Sequence, residues 1–435
     1  MLASYIFYAF WKPAYVLLLL GSTLLDYICA LKIEQAASKH RLKKALLLLS
    51  LIINLGVLVF FKYTDFLGFN LTSLAQLFGL QTNWTMLNLI LPLGVSFYTF
   101  QTISYTIDVY RGQIKAEQNF VNLALYVSFF PQLIAGPIER AQYLLPQFAH
   151  LRPRLNQEAL FWLTLGFFKK MVVADNLAPF VDKVFNPQYV ASSIEYILGA
   201  YAFAVQIYAD FSGYSDIAIG LALLLGVHLH QNFRQPYFAA SFQEFWRRWH
   251  ISLSHWLRDY LYIPLGGNKS THRISTYRNL LITMLLGGLW HGANWTFVVW
   301  GGLHGMFLIL ERPFLHLKIN NLGLKFLKII GVSQAVVLAF VIFRVENLSH
   351  LQKILFSISQ PAVHFNAISL PKVGAFFALI LLLLDLAIHK NWLIITPKNV
   401  DSSSYWTRYA VLLGLFWATL FFGVFQGSQF IYFQF

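Results

Sequence analysis

The sequence contains few charged residues and a single cysteine. Charged side chains make up 11% of the 435 residues, whereas hydrophobic residues make up 57%. A soluble chain of this length carries more charge, so the composition excludes an ordinary set of soluble domains. Long apolar runs separated by short polar connectors recur from end to end. We therefore expect an all-α, polytopic integral membrane protein in which residues 1–435 form a single membrane-embedded domain.

Two kinds of reactive site are missing from the sequence. Cys29 is the only cysteine, so it cannot form a disulfide within the chain, and it has no companions at the spacing of a zinc site. The GxSxG pattern of a serine nucleophile is also absent. We expect Cys29 to be a packing residue, and we expect no metal and no bound cofactor.

Basic residues outnumber acidic ones by 32 to 18, which gives a net charge of +14. They cluster between apolar runs, at 39–44, 140–154 and 234–278, as the positive-inside rule predicts for cytoplasmic loops near anionic lipids. No basic and aromatic pattern typical of a nucleic-acid-binding module is present. The charge therefore predicts contact with membrane lipids and no binding of nucleic acid.

The apolar runs predict most of the membrane segments. Regular spanning helices are expected at 13–31, 45–61, 331–343, 373–388 and 409–425, with a shorter apolar stretch at 159–174. An extracytoplasmic loop is expected at 63–88, a bent helix at 89–110 and a broken or re-entrant helix at 120–138, where Pro131 and Pro137 interrupt the run. At about 20 residues per span, the chain has room for about ten to eleven membrane segments.

Two aspartates interrupt the apolar run 196–227, in the sequence DFSGYSD that extends from Asp210 to Asp216. Six residues correspond to about 240° around a helix, so the two carboxylates should not share a face. We favour a helix break with buried hydrogen bonds. The alternative is acid–base or cation chemistry, which together with Asp108 would indicate a transporter.

Aromatic and charged residues alternate at helical spacing in 241–262, SFQEFWRRWHISLSHWLRDYLY. The charges prevent this segment from spanning a membrane, and tryptophans favour the headgroup region. The pattern predicts one helix lying at the membrane interface, with His250 in its aromatic surface. From the pattern alone, His250 is either a functional residue or a histidine hydrogen-bonded within that helix.

The stretch 280–304, LLITMLLGGLWHGANWTFVVWGGLH, is long and apolar enough to cross a bilayer, yet it carries His291 and Asn294 near its middle. Such residues persist at membrane depth where they face a protein interior or a water-filled cavity. Two GxxxG pairs, 288/292 and 301/305, predict close approach of another helix. Asn294 lies three residues after His291, on about the same helix face, and could orient its ring.

A neutral imidazole at His291 could take a proton from a hydroxyl that attacks an acyl carbonyl, a role worth about 10² to 10⁴ in rate. The other interpretation is a core histidine satisfied by a neighbouring helix. His304 lies thirteen residues further on, about 220° away on a straight helix, and is a weaker candidate.

Five ordered motifs resemble the membrane-bound O-acyltransferase (MBOAT) family, and in particular its alginate O-acetyltransferase branch. They are LPLGVSFYTFQTISYTIDVYRG at 91, FFPQLIAGPIER at 129, DFSGYSDIAIG at 210, FWRRWHISLSHWLRDYLYIPLGGN at 245 and GGLWHGANWTFVVWGGLHG at 287. The segment QFIYFQF at 429–435 resembles the same branch.

This resemblance implies a catalytic histidine at His291 and a second histidine at His250. Further candidates for substrate contact lie in the same motifs: Asn294, Trp290, Trp249, Asp210 and Ser212. The implied fold is a helical bundle around a central funnel and tunnel, with interfacial and re-entrant helices, in the cytoplasmic (inner) membrane of a bacterium.

The implied activity is transfer of an acetyl group from a cytoplasmic thioester donor, acetyl-CoA in this branch, to a hydroxyl. A hydrolase-like acetyltransferase outside the membrane is the implied partner protein, and an extracytoplasmic polysaccharide, alginate-like or peptidoglycan, is the implied product. Three alternatives remain: D-alanyl transfer to teichoic acid, a membrane transporter, and a non-catalytic assembly subunit. IPLGGN at Ile263 favours the acetylating branch.

Overall fold

The computed structural model of the chain describes residues 1–36, 39–269, 273–315, 321–360, 371–393, 402–426 and 430–431. Within these ranges the regular structure is helical and no strand occurs, which confirms the all-α prediction. The chain divides into two compact units, residues 1–154 with 225–230 and residues 155–224 with 231–435. That the whole chain acts as one membrane-embedded domain stays a prediction.

The described residues of the first unit form seven α-helices and one short 3₁₀-helix. They are α1 (Leu2–Ala9), α2 (Pro13–Gln35), α3 (His40–Leu77), α4 (Val95–Tyr110), α5 (Phe120–Ser128), α6 (Phe130–Leu133), α7 (Ala141–Leu144) and the 3₁₀-helix Leu145–His150. Cys29 is free and buried in α2, where it packs as predicted.

Helix α3 is longer than the sequence predicts, because it continues through residues 63–77, which were predicted to be a loop. Polar side chains in this part bond to the helix's own backbone: the Thr64 hydroxyl donates to the Phe60 carbonyl at 2.6 Å and the Asn70 amide donates to the Phe66 carbonyl at 2.7 Å. Polar residues satisfied in this way do not end a helix. The loop prediction holds only from Phe78 to Asn88.

Two proline-containing segments of this unit, 120–138 and 89–110, were predicted to be a broken helix and a bent helix. The first prediction is confirmed and the second is wrong. Residues 120–138 form two helices, with the break at Phe129 before Pro131. Residues 89–110 do not form a bent helix, since α4 begins only at Val95, after Gly94 in a left-handed conformation with φ 70°. A Cβ on Gly94 would lie 2.3 Å from the Leu133 carbonyl oxygen, so only glycine fits there.

The second unit contains the remaining described helices. They are α8 (Gln157–Phe167), a π-helix (Phe168–Ala174), α9 (Asp175–Val184), α10 (Ser193–Leu224), α11 (Phe242–Trp246), α12 (Ile251–Leu257), a second π-helix (Arg258–Tyr262), α13 (Arg273–His291), α14 (Trp295–Glu311), α15 (Leu322–Arg344), α16 (Leu348–Ser359), α17 (Lys372–His389) and α18 (Ser402–Phe422), with 3₁₀-helices at Pro236–Phe238 and Arg312–Phe314.

Helix α10 is continuous over 32 residues, so the predicted break at 210–216 is wrong. The reason is that lysines of the first π-helix neutralise its carboxylates. Lys170 lies 2.6 Å from Asp210, and Lys169 lies 2.6 Å from Asp216. The aspartates use different partners, as expected for carboxylates on different faces. They are structural ion pairs within this unit, and they give no support to a transporter.

The two segments that carry the candidate histidines are both interrupted. Residues 241–262 do not form one helix, because α11 and α12 are separated by a turn that ends at His250. Residues 280–304 do not cross as one helix either, since α13 ends at His291 and α14 begins at Trp295. Each histidine therefore lies next to a break between two helices. The backbone N–H and C=O groups at these helix ends have no partner within the helix and need other hydrogen-bond partners.

Four described helices are long and apolar enough to cross a membrane: α2, α3, α15 and α17. Residues 406–422 form a shorter apolar helix. Only 17% of the most apolar window of α3 is buried within the protein, so most of that surface faces outward, as expected of a helix in lipid. The molecule is a membrane protein with several apolar helices.

Candidate active site

A tight helical hairpin positions His291. The helices α13 and α14 pack with Gly288 against Gly301: a Cβ on Gly288 would lie 2.2 Å from the Phe297 carbonyl oxygen, and one on Gly301 would lie 2.3 Å from the Met284 carbonyl oxygen. The close approach predicted from the GxxxG pairs is thus confirmed, between two helices of the same stretch. It fixes the end of α13, where His291 is the last residue.

Three aromatic rings surround the imidazole of His291. Its ring centroid lies 5.1 Å from that of Trp290, 5.2 Å from Trp300 and 5.3 Å from Phe343, each in an edge-to-face arrangement. The residue is 5% exposed. Rings packed on three sides restrict rotation of the imidazole.

His250 is held in an unusual backbone conformation next to a polar partner. Its φ and ψ are 43° and 53°, in the left-handed region, and its side chain is fully buried. Nδ1 lies 3.2 Å from Oδ1 of Asn232, and the ring contacts Phe211 with centroids 4.6 Å apart. Burial lowers the pKa of His250 to about 3, so the ring is neutral at physiological pH.

Trp290 connects the two histidines. Its indole lies 5.1 Å from the His291 ring and 6.1 Å from the His250 ring, centroid to centroid. Residues 41 positions apart in sequence thus contact the same buried side chain. The arrangement places two buried imidazoles around one indole, the geometry expected if both take part in one reaction.

Trp249 belongs to an aromatic cluster beside this site. Its ring lies 5.1 Å from Phe233, 5.2 Å from Phe340 and 5.6 Å from Phe245. It therefore supports the turn that ends at His250. A role in contacting substrate stays a prediction for Trp249.

Asp210 and Ser212 precede and follow Phe211 in α10. Besides its ion pair with Lys170, Asp210 accepts a hydrogen bond from the backbone nitrogen of Ile431 at 2.7 Å. These bonds give Asp210 a structural role, and its neighbour Phe211 is the residue of α10 that contacts His250. Ser212 is fully buried. In the predicted motif QFIYFQF, residues 429 and 432–435 lie outside the described residues.

Asn294 does not orient His291 as predicted. Its Oδ1 accepts the backbone N–H of Thr296 at 3.0 Å, and its Nδ2 donates to the Glu346 carbonyl at 2.5 Å. The physical reason is that α13 ends at His291, so Asn294 is the N-cap of the next helix and no longer shares a helix face with His291.

Sequence reasoning missed four residues of this site: Asn232, Phe211, Trp300 and Phe343. Trp300 belongs to the same apolar stretch as His291, yet on a straight helix it would point elsewhere. The hairpin brings Trp300 to His291, and His304, one turn further along α14, packs on Trp300 with centroids 4.7 Å apart, so it lies beside the site and not opposite it. No spacing in the sequence connects Asn232 to His250, because the contact forms across a loop.

A polar cavity of about 270 Å³ adjoins the site in the same unit. Its lining includes Phe233, whose ring also lies 6.4 Å from that of His250, and the charged pair Lys169 and Asp216. Tyr208 and Asp385 also line it, with the Tyr208 hydroxyl 2.7 Å from the Asp385 carboxylate. Among the described residues, no group of three or more His, Cys, Asp or Glu side chains could hold a metal ion.

Comparison with known proteins identifies the chemistry of this architecture. The model of the membrane-bound O-acyltransferase family matches residues 113–349, which include both histidines. The probable alginate O-acetylase AlgI of Pseudomonas aeruginosa is 46% identical over 350 residues, 80% of this chain and 66% of that protein. The peptidoglycan O-acetyltransferase of Helicobacter pylori is 41% identical over 400 residues, 85% of this chain and 74% of that protein.

A more distant relative is the teichoic acid D-alanyltransferase of Streptococcus thermophilus, 30% identical over 241 residues, 52% of this chain and 58% of that protein. The chain spans about two thirds of the length of the P. aeruginosa relative. Every one of these proteins transfers an acyl group, as its name states. The chain belongs to the membrane-bound O-acyltransferase family.

Proposed function

We propose that this protein is an O-acetyltransferase that passes an acetyl group from a cytoplasmic thioester, acetyl-CoA, to a hydroxyl, for acetylation of an extracytoplasmic polysaccharide. The observation that carries the proposal is the pair of buried histidines around Trp290. Relatives named as alginate and peptidoglycan O-acetyltransferases support the acetyl group and the polysaccharide.

His291 is the general base in this proposal. The acceptor's hydroxyl oxygen attacks the acetyl carbonyl carbon while the His291 imidazole takes the hydroxyl proton. The carbon–sulfur bond of the thioester then breaks, and the proton passes from the imidazolium to the thiolate, so that an ester and a thiol leave the site. The enclosing rings exclude water, which would otherwise hydrolyse the thioester. No cofactor remains bound, and no enzyme-linked acyl group forms.

The protein would work as a multi-pass enzyme of a bacterial cytoplasmic membrane, with about ten to eleven membrane segments around a funnel and tunnel. Basic residues between the apolar runs support a cytoplasmic face near anionic lipids. A hydrolase-like acetyltransferase outside the membrane is the proposed partner that receives the acetyl group and delivers it to the polysaccharide.

D-alanyl transfer from a carrier protein to teichoic acid is a second candidate function, favoured by the relative in S. thermophilus. It uses the same chemistry, since a D-alanyl thioester is also attacked by a hydroxyl. The lower identity, 30% against 41–46%, makes acetyl transfer the better supported activity.

The test is transfer from labelled acetyl-CoA and from a labelled D-alanyl carrier by purified protein reconstituted with its partner protein. His291→Gln should lower acetyl transfer by about 10² to 10⁴-fold at equal folded protein. His304→Gln, a change of a neighbouring buried histidine, is the matched control and should retain most activity. Normal acetyl transfer by His291→Gln would overturn the role of His291, and transfer of D-alanine alone would overturn the acetyl donor.

A further inference from the structure

The side chain of Asn232 is the centre of a hydrogen-bonded group around His250. Its Oδ1 lies 3.1 Å from the backbone nitrogen of Ser252, 3.0 Å from the Ser252 hydroxyl and 3.2 Å from Nδ1 of His250. Its Nδ2 donates to the Ser215 hydroxyl at 3.3 Å. Asn232 is 1% exposed, so water does not compete for these bonds.

The Ser252 backbone decides which way the Asn232 amide points. A backbone N–H can only donate, so the Asn232 atom that faces it must be the carbonyl oxygen and not the amide nitrogen. The same oxygen faces Nδ1 of His250. Because a carbonyl oxygen can only accept, Nδ1 must carry the hydrogen, and the neutral ring keeps its lone pair on Nε2.

The backbone of Asn232 holds the same turn from the other direction. Its carbonyl oxygen accepts the backbone N–H of Ile251 at 2.9 Å. Asn232 therefore binds the two residues that follow His250 as well as the His250 ring. This double attachment holds the left-handed conformation of His250 and the position of its imidazole together.

We propose that Asn232 is a positioning residue for acyl transfer, which holds His250 in the Nδ1–H tautomer so that Nε2 serves the reaction as a hydrogen-bond acceptor. The inference rests on the proposed function. The single hydrogen of the acceptor's hydroxyl goes to His291 and ends on the donor's thiol. That thiol can donate to a lone pair on Nε2 of His250, whereas an N–H at Nε2 would oppose this bond.

The groups that face the His250 ring make a change at residue 232 easy to interpret. They include the amide of Asn232, the rings of Phe211 and Phe233, and the indole of Trp290, and these four groups are uncharged. Asp210, which precedes Phe211 in α10, is paired with Lys170. A carboxylate introduced at 232 would therefore place a negative charge directly beside the imidazole.

Two substitutions of Asn232 test the proposal in the reconstituted acetyl-transfer assay. Asn232→Leu has a similar size but no acceptor, and it should lower kcat by about 10 to 100-fold with the KM for acetyl-CoA little changed. Asn232→Asp keeps the acceptor oxygen, so it should recover most of that loss. Its negative charge should also stabilise the protonated ring and move the acid limb of the pH–rate profile to higher pH.

Ser215→Ala and Ser252→Ala are the matched controls, because each removes a hydroxyl bonded to the same amide without changing its bond to His250. Both should keep the wild-type pH profile. The proposal is overturned if folded Asn232→Leu has wild-type kcat, or if Asn232→Asp loses as much activity as Asn232→Leu with no shift of the pH profile. Absence of acetyl transfer by the wild-type protein would instead reject the proposed function.

Discussion

Gly288 and Gly301 lie against each other where α13 packs on α14: a Cβ built on either glycine would be 3.0 Å from the Cα atom of the other. This contact sets the distance between the two helices that form the hairpin at His291. Neither position has room for a methyl group unless a backbone moves.

Gly301→Ala should therefore lower both stability and activity. The added methyl would lie 2.3 Å from the Met284 carbonyl oxygen, and relieving the overlap should cost about 1–3 kcal/mol of unfolding free energy. The measurement is the thermal midpoint in detergent together with the acetyl-transfer rate. Gly331→Ala in α15 is the control, because a Cβ built on Gly331 has no other atom of the protein within 4 Å beyond its own helix backbone and chain neighbours. Equal effects of the two changes would show that the hairpin contact is not restrictive.

The buried pair Lys169 and Asp216 should be sensitive to loss of one partner. Asp216→Asn leaves an ammonium that is 7% exposed without its carboxylate 2.6 Å away, and we expect a loss of about 3–5 kcal/mol. Lys169→Met combined with Asp216→Leu should recover part of it, since neither member of the pair then carries a charge, although buried Asp385 loses its interaction with Lys169. Both are measured by thermal unfolding in detergent.

Asp182→Asn is the control for that experiment. Asp182 pairs with Arg344 at 2.7 Å, but its side chain is 49% exposed, so the loss should stay below about 1 kcal/mol. If Asp216→Asn and Asp182→Asn lower the free energy of unfolding equally, burial does not determine how much an ion pair contributes to stability.

Protonation of His250 should reduce stability at acid pH. Burial lowers the pKa of His250 to about 3, whereas histidine in an unfolded chain titrates near about 6.5. The unfolded state thus binds a proton that the folded state excludes, so the contribution is present above about pH 6.5 and is lost as the pH falls towards 3. Between pH 7 and pH 5 this one group should remove about 2 kcal/mol.

His250→Gln should make the fall in thermal midpoint between pH 7 and pH 5 smaller than in the wild-type protein. His40→Gln, at an exposed position, should leave the fall unchanged. A His250→Gln variant whose midpoint follows the wild-type pH dependence would show that the folded ring does take up the proton.

Asn294 should affect stability and not the acid–base behaviour of the site. Asn294→Ala removes the N-cap of α14 and should cost about 1 kcal/mol, whereas Asn294→Ser keeps an oxygen for the Thr296 N–H and should cost less. Thermal midpoints measure the difference. A shifted pH–rate profile in Asn294→Ala would contradict this assignment and restore the role of Asn294 in orienting His291.

The sequence predicts the helical membrane fold and the close helix packing, because apolar runs and GxxxG spacing are local patterns. It does not predict where the long stretches break. Asn294, the N-cap of α14, also bonds to the Glu346 carbonyl, which is 52 positions away in sequence. No periodicity within one window contains that information.

Contacts between distant parts of the chain explain the other differences. Asp216 would interrupt an isolated apolar helix, but α10 continues because Lys169, 47 positions earlier, neutralises it. Asn232 lies 18 positions before His250, and the bond forms only because a loop brings them together. Single residues of this kind become recognisable as part of a site when their partners are known.

The left-handed backbone of His250, with φ 43° and ψ 53°, has a consequence for engineering. Glycine and asparagine adopt this conformation at lower cost than most other residues, and a strained conformation of this kind costs of order 1 kcal/mol. A mutant library screened only for heat resistance should therefore accumulate glycine or asparagine at position 250. Retaining histidine would require each round of selection to reward acyl transfer as well as survival of heating.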